Sequence, residues 1–383
     1  MRRCLPVISR LRAKLHGRST LAQCAAEVIE LAPAVTRAQT AAIALPGESE
    51  RVLATLEEST PALELGRLSE GEWTHGPTIA YRIDNAVLDA GTLYYENGYD
   101  VIRSRSSRAL LPRNLDEFAE MQLCANYVID RYFGHWLFDG LCLELLAEER
   151  SLPALTSDRP PWKHEPEYRE LSGLKELRSR NAHVDRLWVI DDRGLNGSFI
   201  SRVEQLRARL RSGPAQNGAK RVMLTRGVLG AKRNLVNSIE VHKALMRLGF
   251  DVINPETETA HSIVRKLSEA EIAIAVEGSA QSHCWLTMPY RSTFIAIQPP
   301  ARFNALGKAR ADATGINWAY VVANAHPDGF FLPVDRLLRT IDEVMRVTAM
   351  RGQNVGAVAT REGLKLVQAR HPCNREPEIN TLR

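Results

Sequence analysis

The sequence predicts an α/β protein whose C-terminal half is a parallel sheet wound by helices. Three observations carry this. Between Lys220 and Pro300, four short runs rich in β-branched residues stand near 221–226, 250–254, 271–277 and 292–298. The segments between them repeat apolar residues at helical spacing, as Ile239, Val241, Leu245 and Leu248 do. A fifth run, NWAYVVAN at 317–324, follows a polar segment containing Lys308 and Arg310.

In such a sheet, ligands lie beyond the carboxyl ends of the strands, where loops enter helix N-termini. Two loops fit that role. The first run ends at Thr225-Arg226 and is followed by Gly227, Gly230, Lys232 and Arg233, small residues with fixed positive charge. The third ends at Val276-Glu277 and enters a helix through Gly278-Ser279-Ala280, where backbone can approach a ligand closely. Asn237 with Glu240 three residues on reads as a capping box with Asn in place of Ser or Thr. Gly249 then ends that helix before the second strand.

The 383 residues suffice for two domains, and 44% hydrophobic with 25% charged residues is ordinary for a globular protein. The balance of 50 basic against 45 acidic residues gives +5, which suits anionic small molecules. That modest charge with 6% aromatic content lacks the basic stacking surface of a nucleic-acid module. The six cysteines, at 4, 24, 124, 142, 284 and 373, form no close pairs, so a reducing cytoplasm is the simplest compartment. The first eighteen residues carry Arg2, Arg3, Arg10, Arg12, Lys14 and Arg18 without a signal-peptide core. They read as a solvated helix, or as a peripheral contact with an anionic membrane.

In chain order, residues 1–60 are Ala-rich and read as a helical lead-in. From Pro77 alternating residues punctuated by Asp84-Asn85, Ala90-Gly91 and Asn97-Gly98 predict an antiparallel meander, with the hairpin signal at Asn97-Gly98. Residues 115–150 lead into a helix that places His135 and Asp139 on one face. Beside Trp136, Phe138 and Leu141 those polar groups either pair with each other or face a cleft. SLPALTS and HVDRLWVIDD add strands, and FISRVEQLRARLR at 199–211 adds a basic amphipathic helix. A turn-rich linker at 213–218 separates an N-terminal domain, 61–212, from a C-terminal domain, 219–347, with a helical or disordered tail at 348–383.

The order of these motifs resembles family 61 glycosyltransferases, which include proteins of capsular polysaccharide biosynthesis. The matching pieces are Phe133 to Asp139; Thr225-Arg226 with Arg233, Asn237 and Glu240; and Glu277 to Ala280 with Leu286 to Pro289. The resemblance spans roughly residues 75 to 345. It implies a GT-B architecture, two Rossmann-like domains facing across a cleft, with a nucleotide-sugar donor on the C-terminal one and a glycan or glycolipid acceptor opposite.

On that reading Arg226 and Arg233 stabilise the departing diphosphate; as ordinary basic residues they would simply be solvated. Gly278, Ser279 and Ala280 offer N–H groups to the nucleotide, and Glu277 either reaches a ribose hydroxyl or ends its strand in water. Many relatives have an Asn where this chain has Gln281-Ser282-His283, so His283 either replaces that contact or starts a helix. Asp139 is the first choice of general base in an inverting transfer and His135 the second, each able to orient the other. With no Asp-x-Asp at a strand end, neither a metal nor another cofactor is expected. Two alternatives share the frame: a nucleotide-sugar epimerase or hydrolase, and a catalytically silent scaffold.

Overall fold

The computed structural model describes residues 4–56, 59–103, 114–213, 218–227 and 233–368. It is a mixed α/β fold with two principal sheets. The strands in chain order are β1 (Glu27–Ala32), β2 (Val35–Gln39), β3 (Gly71–His75), β4 (Thr78–Asp89), β5 (Thr92–Tyr95), β6 (Gly98–Val101), β7 (Asp116–Leu123), β8 (Ala154–Ser157), β9 (Leu177–Ser179) and β10 (Asn181–Asp191). They continue with β11 (Arg221–Leu224), β12 (Asp251–Ile253), β13 (Ile272–Val276), β14 (Thr293–Gln298), β15 (Asn317–Val322), β16 (Asn324–His326) and β17 (Gly329–Phe331).

The larger sheet has eight strands in the order β6-β5-β4-β10-β7-β8-β9, with β1 also paired to β4. Its β4–β6 side is the antiparallel meander read from the sequence, whereas β10, β7, β8 and β9 run parallel. Asp89 pairs with Thr92 across Ala90 (φ 47) and Gly91 (φ 84), the two positive φ values of a type I′ turn. The expected Asn97-Gly98 hairpin forms one residue earlier: Tyr95 pairs with Gly98, so Glu96 and Asn97 make the turn.

The second sheet is parallel throughout, in the order β12-β11-β13-β14-β15. All five expected strands are present. Both faces are covered, as a parallel sheet requires: Ile272, Ile274, Ile295, Ile297 and Val321 pack with Leu337 and Ile341 of the helix Val334–Gln368. On the other face Ala273, Phe294, Ala296 and Trp318 join an apolar cluster with Trp136, Phe138, Leu141, Phe199 and Val203. One continuous core therefore runs across the linker at 213–218, through helices that belong to the first half of the chain.

Two expectations need correction. Residues 1–60 are not a helical lead-in. After the helix Leu5–His16 the chain forms β1 and β2, and Ile43 bridges β15, accepting from Tyr320 N (3.0 Å) and donating to Trp318 O (2.9 Å). Tertiary pairing overrides the Ala-rich helix propensity, and this segment covers a sheet edge that would otherwise be open. Asn237 stands at an N-cap but makes no capping bond. Its amide instead donates to Leu332 O (2.8 Å) and accepts from Leu332 N (3.1 Å), tying the helix Ser238–Arg247 to the segment after β17. The helix from Val334 runs on to Gln368, so the first part of the tail is helical, one of the two forms read for it. Gly249 does end its helix, at φ 78.

Among the described residues no helix is long and apolar enough to cross a membrane. The basic N-terminal helix lies on the meander: Arg10 bonds Tyr94, Arg12 pairs with Glu96 (3.4 Å) and Arg18 pairs with Asp100.

Candidate active site

The strand order of the second sheet fixes where a ligand belongs. Counted along the chain it reads second, first, third, fourth, fifth, so the connections reverse direction between β11 and β13, and ligands bind outside the carboxyl ends of strands at such a switch point. Arg226 follows β11 there, and Glu277 and Gly278 follow β13.

Gly278 is the floor of this site. At φ 148 it adopts a backbone that side-chain-bearing residues avoid, and a Cβ on it would collide with the guanidiniums of both Arg226 and Arg233. Arg233, 10% exposed at its side chain, donates to Glu277 O (2.6 Å) and lies 3.1 Å from Glu277 Oε2. Burial lowers the pKa of Arg226 and Arg233, and Glu277 offsets this only in part. Burial likewise pushes the Glu277 carboxyl up, against the pull of Arg233, Arg302 and Arg226. Arg226, Arg233 and Arg302 thus gather around the desolvated strand end at Glu277, with Glu256 also acting on Arg226. Arg302, on the loop after β14, carried no local sequence signal. Gly230 and Lys232, expected in the same phosphate loop, lie outside the described residues.

The structure places Ser279 and Ala280 in a single turn of 3-10 helix, Ser279–Gln281, directly after Gly278. It does not bring His283 to this loop. His283 is 1% exposed within the helix Ser282–Thr287, its Nδ1 is 2.6 Å from the Tyr168 hydroxyl, and its ring packs on Phe133 and His164. Burial, assisted by His164, drives its pKa down to about 3, so it is a neutral core histidine at the start of a helix, the second of the two readings given for it.

The second constellation lies next to the first. The chain from Phe133 to Glu149 is helical, interrupted at Trp136–Gly140 by a π turn in which Leu141 N bonds Trp136 O. His135 Nδ1 and Asp139 Oδ2 are 2.5 Å apart across this turn. Arg310, from the helix Leu306–Ala313 before β15, donates Nη2 to the same Asp139 oxygen at 2.7 Å, lies 3.0 Å from His135 Nδ1, and rests over the Phe138 ring. Burial raises the Asp139 pKa, but Arg310 and His135 together outweigh it and hold the carboxyl below its usual range. With Nδ1 facing Asp139, His135 presents Nε2 as the ring nitrogen left for chemistry.

The two constellations meet through a glycine. A Cβ on Gly134 would lie 2.8 Å from Ser282 Oγ and 3.0 Å from Ser279 Cα, so only glycine lets the His135 turn sit against the Gly278 turn. Tyr132 completes the bridge, 6.0 Å from the His135 ring and within electrostatic reach of Arg233.

His135, Asp139 and Arg310 open on a cleft of about 800 Å³, lined further by Arg37, Trp73 and His75 of β2 and β3 and by Tyr81 and Tyr127. The arginines at Gly278 do not line it; they occupy the switch point behind the His135 turn. Among the described residues no cluster of three or more His, Cys, Asp and Glu side chains is arranged to hold a metal ion.

Residues 133–295 match the family model Glycosyltransferase 61. This stretch is similar to family 61 glycosyltransferase sequence. It begins at Phe133, two residues before His135, and takes in Arg226, Arg233 and Glu277 to Ala280; Arg302 and Arg310 fall beyond its end. The match supports a glycosyltransferase. No curated protein matches the chain. Two solved structures of TibC are similar at 11% identity. One, described as a dodecameric iron-containing heptosyltransferase in complex with ADP-D-beta-D-heptose, covers 72% of this chain and 94% of its own with a TM-score of 0.33. The other, an iron-containing glycosyltransferase from enterotoxigenic E. coli H10407, covers 71% and 94% with a TM-score of 0.32.

Proposed function

We propose that the protein transfers a sugar from a nucleotide-sugar donor to a glycan or glycolipid acceptor, in the manner of a GT-B enzyme, in capsular or other surface polysaccharide synthesis. The observation that carries the reading is the junction at Gly134, where an arginine cluster at a switch point abuts a histidine–carboxylate pair that opens on a cleft.

The diphosphate of the donor sits over Gly278, facing Arg226, Arg233 and Arg302, and Glu277 reaches the ribose. The acceptor enters from the cleft. Its hydroxyl oxygen attacks the anomeric carbon as the carbon–oxygen bond to the diphosphate breaks, and the hydroxyl proton passes to His135 Nε2. Attack opposite the leaving group inverts the anomeric centre. Asp139 orients His135 and stabilises the imidazolium, because a carboxyl already held down by Arg310 is a weak proton acceptor. This exchanges the two roles expected from the sequence. The arginines supply charge stabilisation where it develops, on the leaving diphosphate.

The test is nucleoside diphosphate release from a panel of nucleotide sugars, with and without glycan acceptors. Acceptor-dependent release, abolished in His135→Ala, is expected. Equal turnover without acceptor would indicate a hydrolase or epimerase, and binding with no turnover under any condition a scaffold.

A further inference from the structure

Part of the wall of the cleft that His135 lines is a two-stranded antiparallel pair, β2 with β3, in which Arg37 pairs with Trp73 and Val35 with His75. Strand alternation puts Val35, Arg37, Gln39, Trp73 and His75 on one face, and Arg37, Gln39, Trp73 and His75 all line the cleft. The opposite face carries Thr36 and Thr74, hydrogen-bonded to each other at 2.9 Å and exposed.

The charges of the cleft are otherwise spoken for. Asp139 is held by Arg310 (2.7 Å), Asp191 by Arg193 (2.6 Å), Asp192 by Arg202 (2.6 Å) and Asp312 by Lys308, while Arg67 pairs with Glu64 (2.5 Å). Arg37 is the exception. Its bond is to Leu195 O at 3.4 Å, and among the described residues no carboxylate comes within ion-pair distance of it. Its positive charge is felt next door: burial and Arg37 together lower the pKa of His75, which stays neutral and able to bond a hydroxyl.

We propose that the acceptor is acidic: a sugar residue that lies against the Trp73 ring with its carboxylate held by Arg37. A planar guanidinium binds a carboxylate through two parallel N–H bonds. An indole beside it offers the flat apolar face that a sugar ring covers, and His75 meets a hydroxyl. The cavity volume is in the range that encloses a ligand of this kind. The proposal rests on the transferase reading for the name acceptor, but the binding chemistry belongs to the strand pair alone.

The experiment measures binding to the full chain by titration calorimetry and saturation-transfer NMR. The probes are a uronic-acid-containing tetrasaccharide, its carboxyl-reduced counterpart, and the reduced chain carrying one terminal phosphate. Thermal shift with nucleoside diphosphates runs in parallel. The uronate form is expected to bind about 10-fold or more tighter than the reduced form, since one charge-assisted contact is at stake. Arg37→Gln removes that preference, Trp73→Ala weakens uronate and reduced forms alike, and both variants keep the wild-type response to nucleoside diphosphate. Equal binding of the uronate and reduced forms, preference for the phosphate form, a preference that survives Arg37→Gln, or no binding of any probe at millimolar concentration overturns the proposal. Uronate preference in a protein that binds no nucleoside diphosphate would leave Arg37 in place and remove the transferase reading instead.

Discussion

Replacing Asp139 by Asn separates the histidine–carboxylate pair while keeping its shape. In the wild type the carboxylate accepts a hydrogen bond from His135 Nδ1 at 2.5 Å and faces Arg310 at 2.7 Å, with side-chain exposures of 27% for Asp139 and 9% for Arg310. Breaking a fully buried pair from one side costs about 3–5 kcal/mol. Water still reaches Asp139, so the stability loss here is set at about 1–3 kcal/mol, the range for one charge-assisted partner. The effect on turnover is larger, because the amide neither fixes the His135 tautomer nor stabilises its imidazolium. A fall in kcat/KM of about 10²–10⁴ is expected, or roughly 3–5 kcal/mol of transition-state stabilisation. The assay is acceptor-dependent nucleoside diphosphate release at a temperature where circular dichroism shows both proteins folded. Turnover within about 3-fold of wild type would refute the role given to Asp139. Arg310→Met supplies the companion measurement. In the wild type the folded Asp139 pKa is depressed, so its contribution to stability is complete above the ordinary value of 3.8 and is lost as pH falls below it. Without Arg310 burial is less opposed, and the acid limb of a Tm-against-pH curve moves upward.

Gly278→Ala places a methyl group among the Arg226 and Arg233 guanidiniums at φ 148, and is expected to cost about 1–3 kcal/mol of stability and to abolish the thermal response to nucleoside diphosphate. An unchanged response would move the donor away from this turn. His283→Phe orphans the Tyr168 hydroxyl and is expected to cost about 1–3 kcal/mol, while Tyr168→Phe in the same chain recovers part of the loss. Because the folded His283 pKa lies at about 3, its share of stability is complete above its ordinary value of 6.5 and declines as pH falls toward 3; the variant flattens that slope in denaturant titrations. Trp73→Ala is expected to raise KM for acceptor about 10-fold with the donor KM unchanged, whereas a change in donor KM alone would place Trp73 in the wrong half of the site.

The second sheet was legible because its strands are short apolar runs rich in β-branched residues and largely buried on both faces, a pattern that survives without tertiary information. His135 with Asp139, and Arg226 with Glu277 and Gly278, were legible because each set is local, four residues apart or at a strand end. What the sequence hid is what the fold assembles from afar. Arg310 and Arg302 sit in stretches without periodicity or motif, and only the packing of the helix Leu306–Ala313 against Phe138 brings Arg310 to Asp139. The strand pair of Arg37 and Trp73 closes over more than thirty residues, with an Ala-rich segment in between that reads as helix. His283 fails as a donor contact for a geometric reason. The turn at Gly278 spends one round of 3-10 helix before Ser282, which directs the imidazole inward to Tyr168. Asn237 has the residue type of a cap, but Leu332 offers its amide two backbone partners in place of one.

The central claim, a nucleotide-sugar site over Gly278, is tested most directly by thermal shift of the full chain against a panel of nucleoside diphosphates. A ligand at a hundred times its dissociation constant adds about 2.7 kcal/mol of stability when it binds only the folded state. The account predicts a shift with at least one nucleoside diphosphate that disappears in Arg226→Ala and persists in Arg37→Gln. A shift that survives loss of Arg226, or the absence of any shift across the panel, would contradict it.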